Sequence, residues 1–168
     1  ISALLDTLIA DYSVDDSQVF VLGYSSGGLM TMKLRCALAD RLTGIISYAA
    51  PMTFAIASDC LSADPVSAFV IHGTVDEVFP YGGQASVSNG ELSGTFSAVQ
   101  TIGFLASLNG CESQAQTKDI SAENTRNPVY AKSYPCDDTV TQLYTIAGLG
   151  HFGWAGQLGV TVDGEDIT

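Results

Sequence analysis

The chain has 168 residues, of which 46% are apolar, and its formal net charge is −12 because it carries only six lysines and arginines. This length and apolar content predict one globular domain with a hydrophobic core. The negative charge argues against a nucleic-acid partner and against binding to an anionic membrane surface, and no apolar stretch is long enough to span a bilayer.

The spacing of apolar residues predicts helices and strands that alternate along the chain. A first amphipathic helix is followed by a strand over 19–22 that is apolar throughout, which predicts burial on both of its faces. This alternation predicts an α/β protein with a mainly parallel sheet flanked by helices. The predicted helices cover residues 1–12, about 27–40 and 93–108, the predicted strands cover 19–22, 44–49, 68–73 and 139–147, and the remaining segments 51–65, 74–83, 86–93 and 111–135 are predicted as loops or turns, with one candidate hairpin around 124–128.

A G-x-S-x-G motif lies between the first strand and the second helix, where residues 23–27 read Gly-Tyr-Ser-Ser-Gly. A strand, a sharp turn and a helix in this order describe a nucleophile elbow with Ser25 at the turn. The flanking glycines would let neighbouring backbone approach without a Cβ clash, and the helix N-terminus would favour negative charge. The alternative is a glycine-rich loop without chemistry, because the pentapeptide alone is a weak signal in a chain with 17 glycines.

Three chemistry-bearing side chains follow three of the predicted strands. They are Ser25, Asp76 and His151, and serine, acid and histidine is the chain order of the α/β-hydrolase triad. Because working residues gather at the carboxyl ends of parallel strands, we expect these three to meet at one edge of the sheet. His72 lies inside a strand, and its expected role is to pack or to order the adjoining loop. Other candidates for the acid are Glu77, Asp59 and Asp64.

The four cysteines are Cys36, Cys60, Cys111 and Cys136, and none forms a C-x-x-C pair. With only two histidines in addition, neither a metal site nor another cofactor is expected. An even number of cysteines in an acidic chain predicts two disulfides and an oxidising compartment. We favour the pairs Cys36–Cys60 and Cys111–Cys136 among the three possible pairings, because each joins neighbours in chain order. Four buried free thiols are the alternative.

Five motifs are spread over the chain between Leu5 and Trp154: residues 23–28, 72–76 with Val78 and 80–81, 109–111, 134–136, and 150–151 with Trp154. Together they resemble the secreted polyhydroxybutyrate depolymerase and feruloyl esterase-like group of α/β-hydrolases. The resemblance implies an α/β-hydrolase fold in which residues 1–168 form a single but incomplete catalytic domain. The N-terminal strands and the final helix are expected to be missing from it.

The resemblance also implies a function. Ser25 would be the nucleophile, Asp76 the acid and His151 the base, and the Ser26 N–H would help to bind the oxyanion. The implied protein is a secreted esterase, acting on an ester or polyester of a hydroxyalkanoate, a hydroxycinnamate or an acetylated polysaccharide. Tyr24, Phe152 and Trp154 are candidates for the substrate pocket, although each could instead belong to the core. A non-catalytic polymer- or carbohydrate-binding protein on a degenerate hydrolase scaffold is the alternative, and the sequence does not indicate an oligomeric state.

Overall fold

The structure is a computed structural model that describes residues 1–60, 64–153, 161–162 and 165–166. The strands within these ranges are β1 Phe20–Tyr24, β2 Gly44–Tyr48, β3 Ser67–Gly73, β4 Gln84–Ser88, β5 Glu91–Thr95, β6 Gln116–Asp119, β7 Val129–Tyr134, β8 Thr141–Ile146, β9 Thr161–Val162 and β10 Glu165–Asp166. The main sheet of the described residues has six strands in the order β1-β2-β3-β8-β7-β6. Strands β1, β2, β3 and β8 are parallel, and β7 and β6 continue the sheet antiparallel.

In the described part of the chain, four α-helices accompany the sheet, and none of them has the length and apolar content that crossing a bilayer demands. The helices are α1 Ser2–Asp11, α2 Ser26–Ala37, α3 Phe54–Ser58 and α4 Ala98–Leu108, and a short 3₁₀ turn spans Ala39–Arg41. Helix α2 packs against β1 and β2, and α4 packs against β3 and β8, so the core lies between helices and sheet. The order of elements confirms the predicted α/β architecture.

Strand β1 differs from its prediction, because it is buried on one face only. Phe20 and Leu22 are 61% and 70% exposed, whereas Gly23 on the opposite face is buried. Helix α2 covers the Gly23 face, where Thr31 approaches, and among the described residues β1 pairs with β2 alone. The apolar run therefore predicted the strand correctly, but the predicted burial of its second face is wrong.

Strands β4 and β5 form a hairpin in a segment that the sequence indicated only as polar and turn-rich. Its turn residues Asn89 and Gly90 have φ of 52° and 81°, the two positive values that a tight type I′ hairpin turn requires. Because β5 occupies the predicted start of the next helix, α4 begins later, at Ala98. There Ser97 and Gln100 form a capping box that satisfies the first free N–H groups of the helix.

Two disulfides join the pairs expected from chain order. Cys36–Cys60 ties the C-terminal end of α2 to the segment after α3, and Cys111–Cys136 ties the end of α4 to the segment after β7. Beside the first disulfide the fully buried Arg35 donates through Nη2 to an amide oxygen of the loop after α4, and burial lowers the pKa of its guanidinium. Each disulfide thus links the C-terminal side of a helix covalently to another segment of the fold.

Candidate active site

Ser25 occupies the turn between β1 and α2 in an unusual backbone conformation. Its φ is 53° and its ψ is −123°, a region that residues with a side chain rarely adopt. The surrounding structure holds this turn: the Ser25 N–H donates to the carbonyl of Tyr48 at the end of β2, at 2.9 Å. The local sequence therefore folds as the strand, sharp turn and helix that the motif predicted, with Ser25 at the N-cap of α2.

Of the two glycines that flank the motif, the structure requires Gly23, as predicted, but not Gly27. A Cβ on Gly23 would lie 2.1 Å from the Gly27 carbonyl oxygen, so that glycine is required for close backbone approach. A Cβ on Gly27 itself would meet nothing within 4 Å. The second constrained glycine is Gly28, where a Cβ would lie 2.6 Å from the Ala50 Cβ and 2.8 Å from the Ser47 Oγ.

The structure brings Ser25, His151 and Asp76 together in one chain of hydrogen bonds. His151 Nε2 lies 2.8 Å from Ser25 Oγ, and His151 Nδ1 lies 2.8 Å and 3.0 Å from the two carboxylate oxygens of Asp76. A carboxylate can only accept here, so the Nδ1–H donates to Asp76 and leaves Nε2 free to accept the serine proton. The imidazole and the carboxylate are almost fully buried, at 1% and 5% exposure.

The carboxylate of Asp76 is fixed by the loop that follows it. Its Oδ1 accepts hydrogen bonds from the backbone N–H groups of Val78 at 2.9 Å and Phe79 at 2.8 Å. His72, fully buried, donates from Nε2 to the Phe79 carbonyl at 2.8 Å, so this histidine orders the loop, as its position in the strand predicted. Burial lowers the pKa of His72 and keeps its imidazole neutral.

The other candidate acids have different surroundings. Asp59 forms an exposed ion pair with Lys33 at 2.9 Å, and Asp64 is exposed. Glu77 is close to the site, but its Oε2 accepts from the backbone N–H of His151 at 3.1 Å rather than from the imidazole. No sequence pattern predicted this contact, because it depends on how two separate loops pack together.

Aromatic side chains surround the imidazole of His151. The Tyr24 hydroxyl donates to the His151 carbonyl at 2.8 Å, and its ring centre lies 5.3 Å from the imidazole. The ring of Phe152 stands edge-on to the imidazole at 4.9 Å and is 65% exposed, and that of Phe79 lies 5.8 Å away. Trp154, the third predicted pocket residue, lies outside the described residues.

Two further features complete the surroundings of Ser25. Tyr48 packs 5.5 Å from Tyr24, and burial, with smaller contributions from Tyr24 and Asp76, raises the pKa of Tyr48 to about 12. Ser26 is the first residue of α2, where a backbone N–H has no acceptor within its own helix. Across the described ranges, no three His, Cys, Asp or Glu side chains are grouped as a metal site would need.

The chain is similar to known proteins both in sequence and in fold. The family described as phospholipase/carboxylesterase matches residues 1–93. The chain is 27% identical over 90% of its length to a bifunctional acetylxylan esterase/xylanase from Neocallimastix patriciarum and 31% identical over 87% of its length to feruloyl esterase B from Piromyces equi. It spans only 20% and 27% of the lengths of these two relatives. An acetyl xylan esterase structure from Aspergillus awamori has the same fold, with a TM-score of 0.61 at 17% identity, and the match covers 89% of this chain and 60% of that one.

Proposed function

The chain belongs to the phospholipase/carboxylesterase family of α/β-hydrolases, and from this premise we propose that it is a serine esterase that hydrolyses carboxylic esters. The observation that carries the proposal is the unbroken hydrogen-bond chain from Ser25 Oγ through the His151 imidazole to the buried Asp76 carboxylate. A serine hydroxyl is a weak nucleophile, and an adjacent base held by a third group is the arrangement that activates it.

In the proposed mechanism, His151 Nε2 takes the proton of Ser25 as the Oγ attacks the ester carbonyl carbon. The tetrahedral intermediate then collapses, the bond to the alkoxy oxygen breaks, and the imidazolium returns its proton to the leaving alcohol. Water attacks the acyl-enzyme with His151 again as base, and the carboxylic acid and free Ser25 are released. Asp76 holds the imidazole in the tautomer with Nδ1–H and stabilises its positive charge.

The negative oxygen of the tetrahedral intermediate would lie near the N-terminus of α2. The Ser26 N–H follows the nucleophile directly and is the donor that we propose for the oxyanion. The partial positive charge of a helix N-terminus acts in the same direction. One such donor is worth on the order of 3 kcal/mol of transition-state stabilisation in serine hydrolases.

The proposed substrates are esters of hydroxycinnamic acids, of acetylated polysaccharides or of polyhydroxyalkanoates. The names of the feruloyl esterase and acetylxylan esterase relatives support the first two classes. The exposed Phe152 ring and the Tyr24 ring flank the proposed base and are proposed to contact the acyl group. The two disulfides support an extracellular location, because such bonds persist in oxidising compartments.

A panel of methyl ferulate, acetylated xylan and hydroxybutyrate oligomers, measured beside p-nitrophenyl acetate, tests this proposal. We expect turnover of at least one natural ester class, covalent labelling by a fluorophosphonate probe, and a loss of at least about a thousandfold in kcat for Ser25→Ala. Polymer binding without labelling would instead identify a non-catalytic binding protein on a hydrolase scaffold. Equal turnover by Ser25→Ala would reject Ser25 as the nucleophile.

A further inference from the structure

The proposed base is carried by a segment whose sequence does little to fix its own shape. We name residues 147–153 the histidine loop and residues 74–79 the acid loop. The histidine loop contains three glycines in seven residues, and Gly148 has φ of 71°. Glycine has the greatest backbone freedom of any residue, so the position of the His151 imidazole depends on contacts from outside this loop.

The acid loop supplies several of these contacts, which follow one another along both segments. The Gly148 N–H donates to Thr74 Oγ1 at 2.9 Å, and the Val75 N–H donates to the Leu149 carbonyl at 3.2 Å. Gly73 marks the tightest point, because a Cβ there would lie 2.1 Å from the same Leu149 oxygen. Contacts from the acid loop therefore help to determine the backbone path of the histidine loop.

At His151 itself, both backbone polar groups are held by side chains. The N–H donates to Glu77 Oε2 at 3.1 Å, and the carbonyl accepts from the Tyr24 hydroxyl at 2.8 Å. Glu77 directly follows Asp76, and Tyr24 directly precedes Ser25. Each residue that bonds to the imidazole thus has a chain neighbour that holds the backbone of the same histidine.

We propose that Glu77 and Tyr24 are positioning residues that set the imidazole of His151 between Ser25 and Asp76. Glu77 is exposed and its carboxylate lies against Gly150, where a Cβ would be 3.0 Å from Oε2. A side chain at position 150 would therefore require the Glu77 carboxylate to shift by a few tenths of an ångström from the position in which it accepts from His151. The inference rests on the proposed esterase function, because positioning has a catalytic consequence only if His151 acts as the base.

The test compares Glu77→Ala, which removes the acceptor, with Glu77→Gln, which keeps an oxygen at the same place without the charge. We expect kcat to fall about 10- to 100-fold in Glu77→Ala with KM within about twofold, and Glu77→Gln to restore most of kcat, because misplacement of a catalytic group by about 1 Å has effects of this size. Tyr24→Phe, which keeps the ring, should lower kcat about tenfold. Glu112→Ala is the matched control, since Glu112 is exposed and follows α4, away from both loops.

A second measurement does not depend on turnover. We expect the backbone amide proton of His151 to exchange with solvent about tenfold faster in Glu77→Ala than in the parent protein, because its acceptor is gone. Unchanged kcat in Glu77→Ala, equal losses in the Gln and Ala variants, or unchanged amide exchange would each overturn the positioning role. Absence of ester turnover and of fluorophosphonate labelling in the parent protein would reject the proposed function instead, and the exchange measurement would still decide whether Glu77 holds His151.

Discussion

His72 Nε2 lies 3.5 Å from Asp76 Oδ2, so the carboxylate that contacts His151 also has a second, fully buried histidine beside it. The Nδ1 of His72 has no hydrogen-bond partner among the described residues. Burial is the main cause of its lowered pKa, with the nearby His151 acting in the same direction and Asp76 opposing it. The two histidines therefore have different roles: one contacts Ser25 and the other supports the acid loop.

The buried His72 predicts a pH dependence of stability. An unfolded histidine titrates near pH 6.5, and the pKa of folded His72 is lower, so below about pH 6.5 the unfolded state binds more protons. The free energy of unfolding should therefore fall as the pH falls from 7 towards 5, by at most about 1.4 kcal/mol per pH unit from this group. His72→Gln, whose amide can still donate to Phe79, should show a shallower dependence in urea titrations. Parallel pH profiles for the two proteins would contradict this prediction.

Replacing the proposed acid should inactivate the protein without unfolding it. In Asp76→Asn the side-chain oxygen can still accept from Val78 and Phe79, which turns the NH₂ group towards His151. The imidazole would then carry its proton on Nε2 and could not accept the proton of Ser25, so kcat should fall by about 10⁴. Asp59→Asn, on the exposed surface, is the control and should keep the parent kcat in the same ester assay.

The neighbouring glycines 27 and 28 predict opposite effects of the same substitution. Gly28→Ala would force a methyl group against Ala50 and Ser47 and should lower the free energy of unfolding by about 1–3 kcal/mol. Gly27→Ala meets no atom within 4 Å and should be neutral or raise stability by up to about 1 kcal/mol, because alanine is the better helix former. Urea denaturation of both variants measures the difference. An equal loss of unfolding free energy in both would contradict the prediction that close packing around Gly28 excludes a methyl group.

Removing each of the two disulfides should lower the free energy of unfolding by a different amount. Their loops are nearly equal, with sequence separations of 24 and 25, so the chain-entropy contribution is about 3 kcal/mol for each. Cys60 is fully buried beside Arg35, whereas Cys136 is only partly buried. Replacing Cys36 and Cys60 by alanine should therefore cost more than replacing the other pair, because it also leaves a cavity. Guanidinium denaturation of the two double variants tests this order.

The sequence predicted the meeting of Ser25, Asp76 and His151 because one rule covers all three positions: parallel strands bring their carboxyl ends to the same edge of a sheet. It did not predict α3, which has only five residues, or the β4–β5 hairpin, whose strands are largely polar. Helix α3 forms where Thr53 caps it, and β5 is anchored where Phe96 donates to the Met52 carbonyl. The Thr53 cap is a local contact, to the backbone N–H of Ile56 three residues on, whereas the bond between Phe96 and Met52 joins distant segments, and no local pattern specifies such a bond.

The dependence on long-range packing also explains why the predicted burial of both faces of β1 is wrong and why the contact between Glu77 and His151 was not predicted. An apolar strand predicts that its side chains can be buried, but whether another element covers Phe20 and Leu22 depends on the assembled fold, and both are exposed. Glu77 is one of several acidic residues in its region, and only the path of the histidine loop distinguishes it. Sequence patterns therefore indicated which residues could react but not which residues hold them in place.

The contacts between the acid loop and the histidine loop limit which insertions and deletions this protein can accept. Gly73 lies against the Leu149 carbonyl oxygen, and the hydrogen bonds at Thr74, Val75 and Glu77 hold the two segments in one alignment. An insertion or deletion in either segment would shift the imidazole, so their lengths must change together or not at all. The exposed β4–β5 hairpin is under no such constraint, so its tip can lengthen while both loops stay in register.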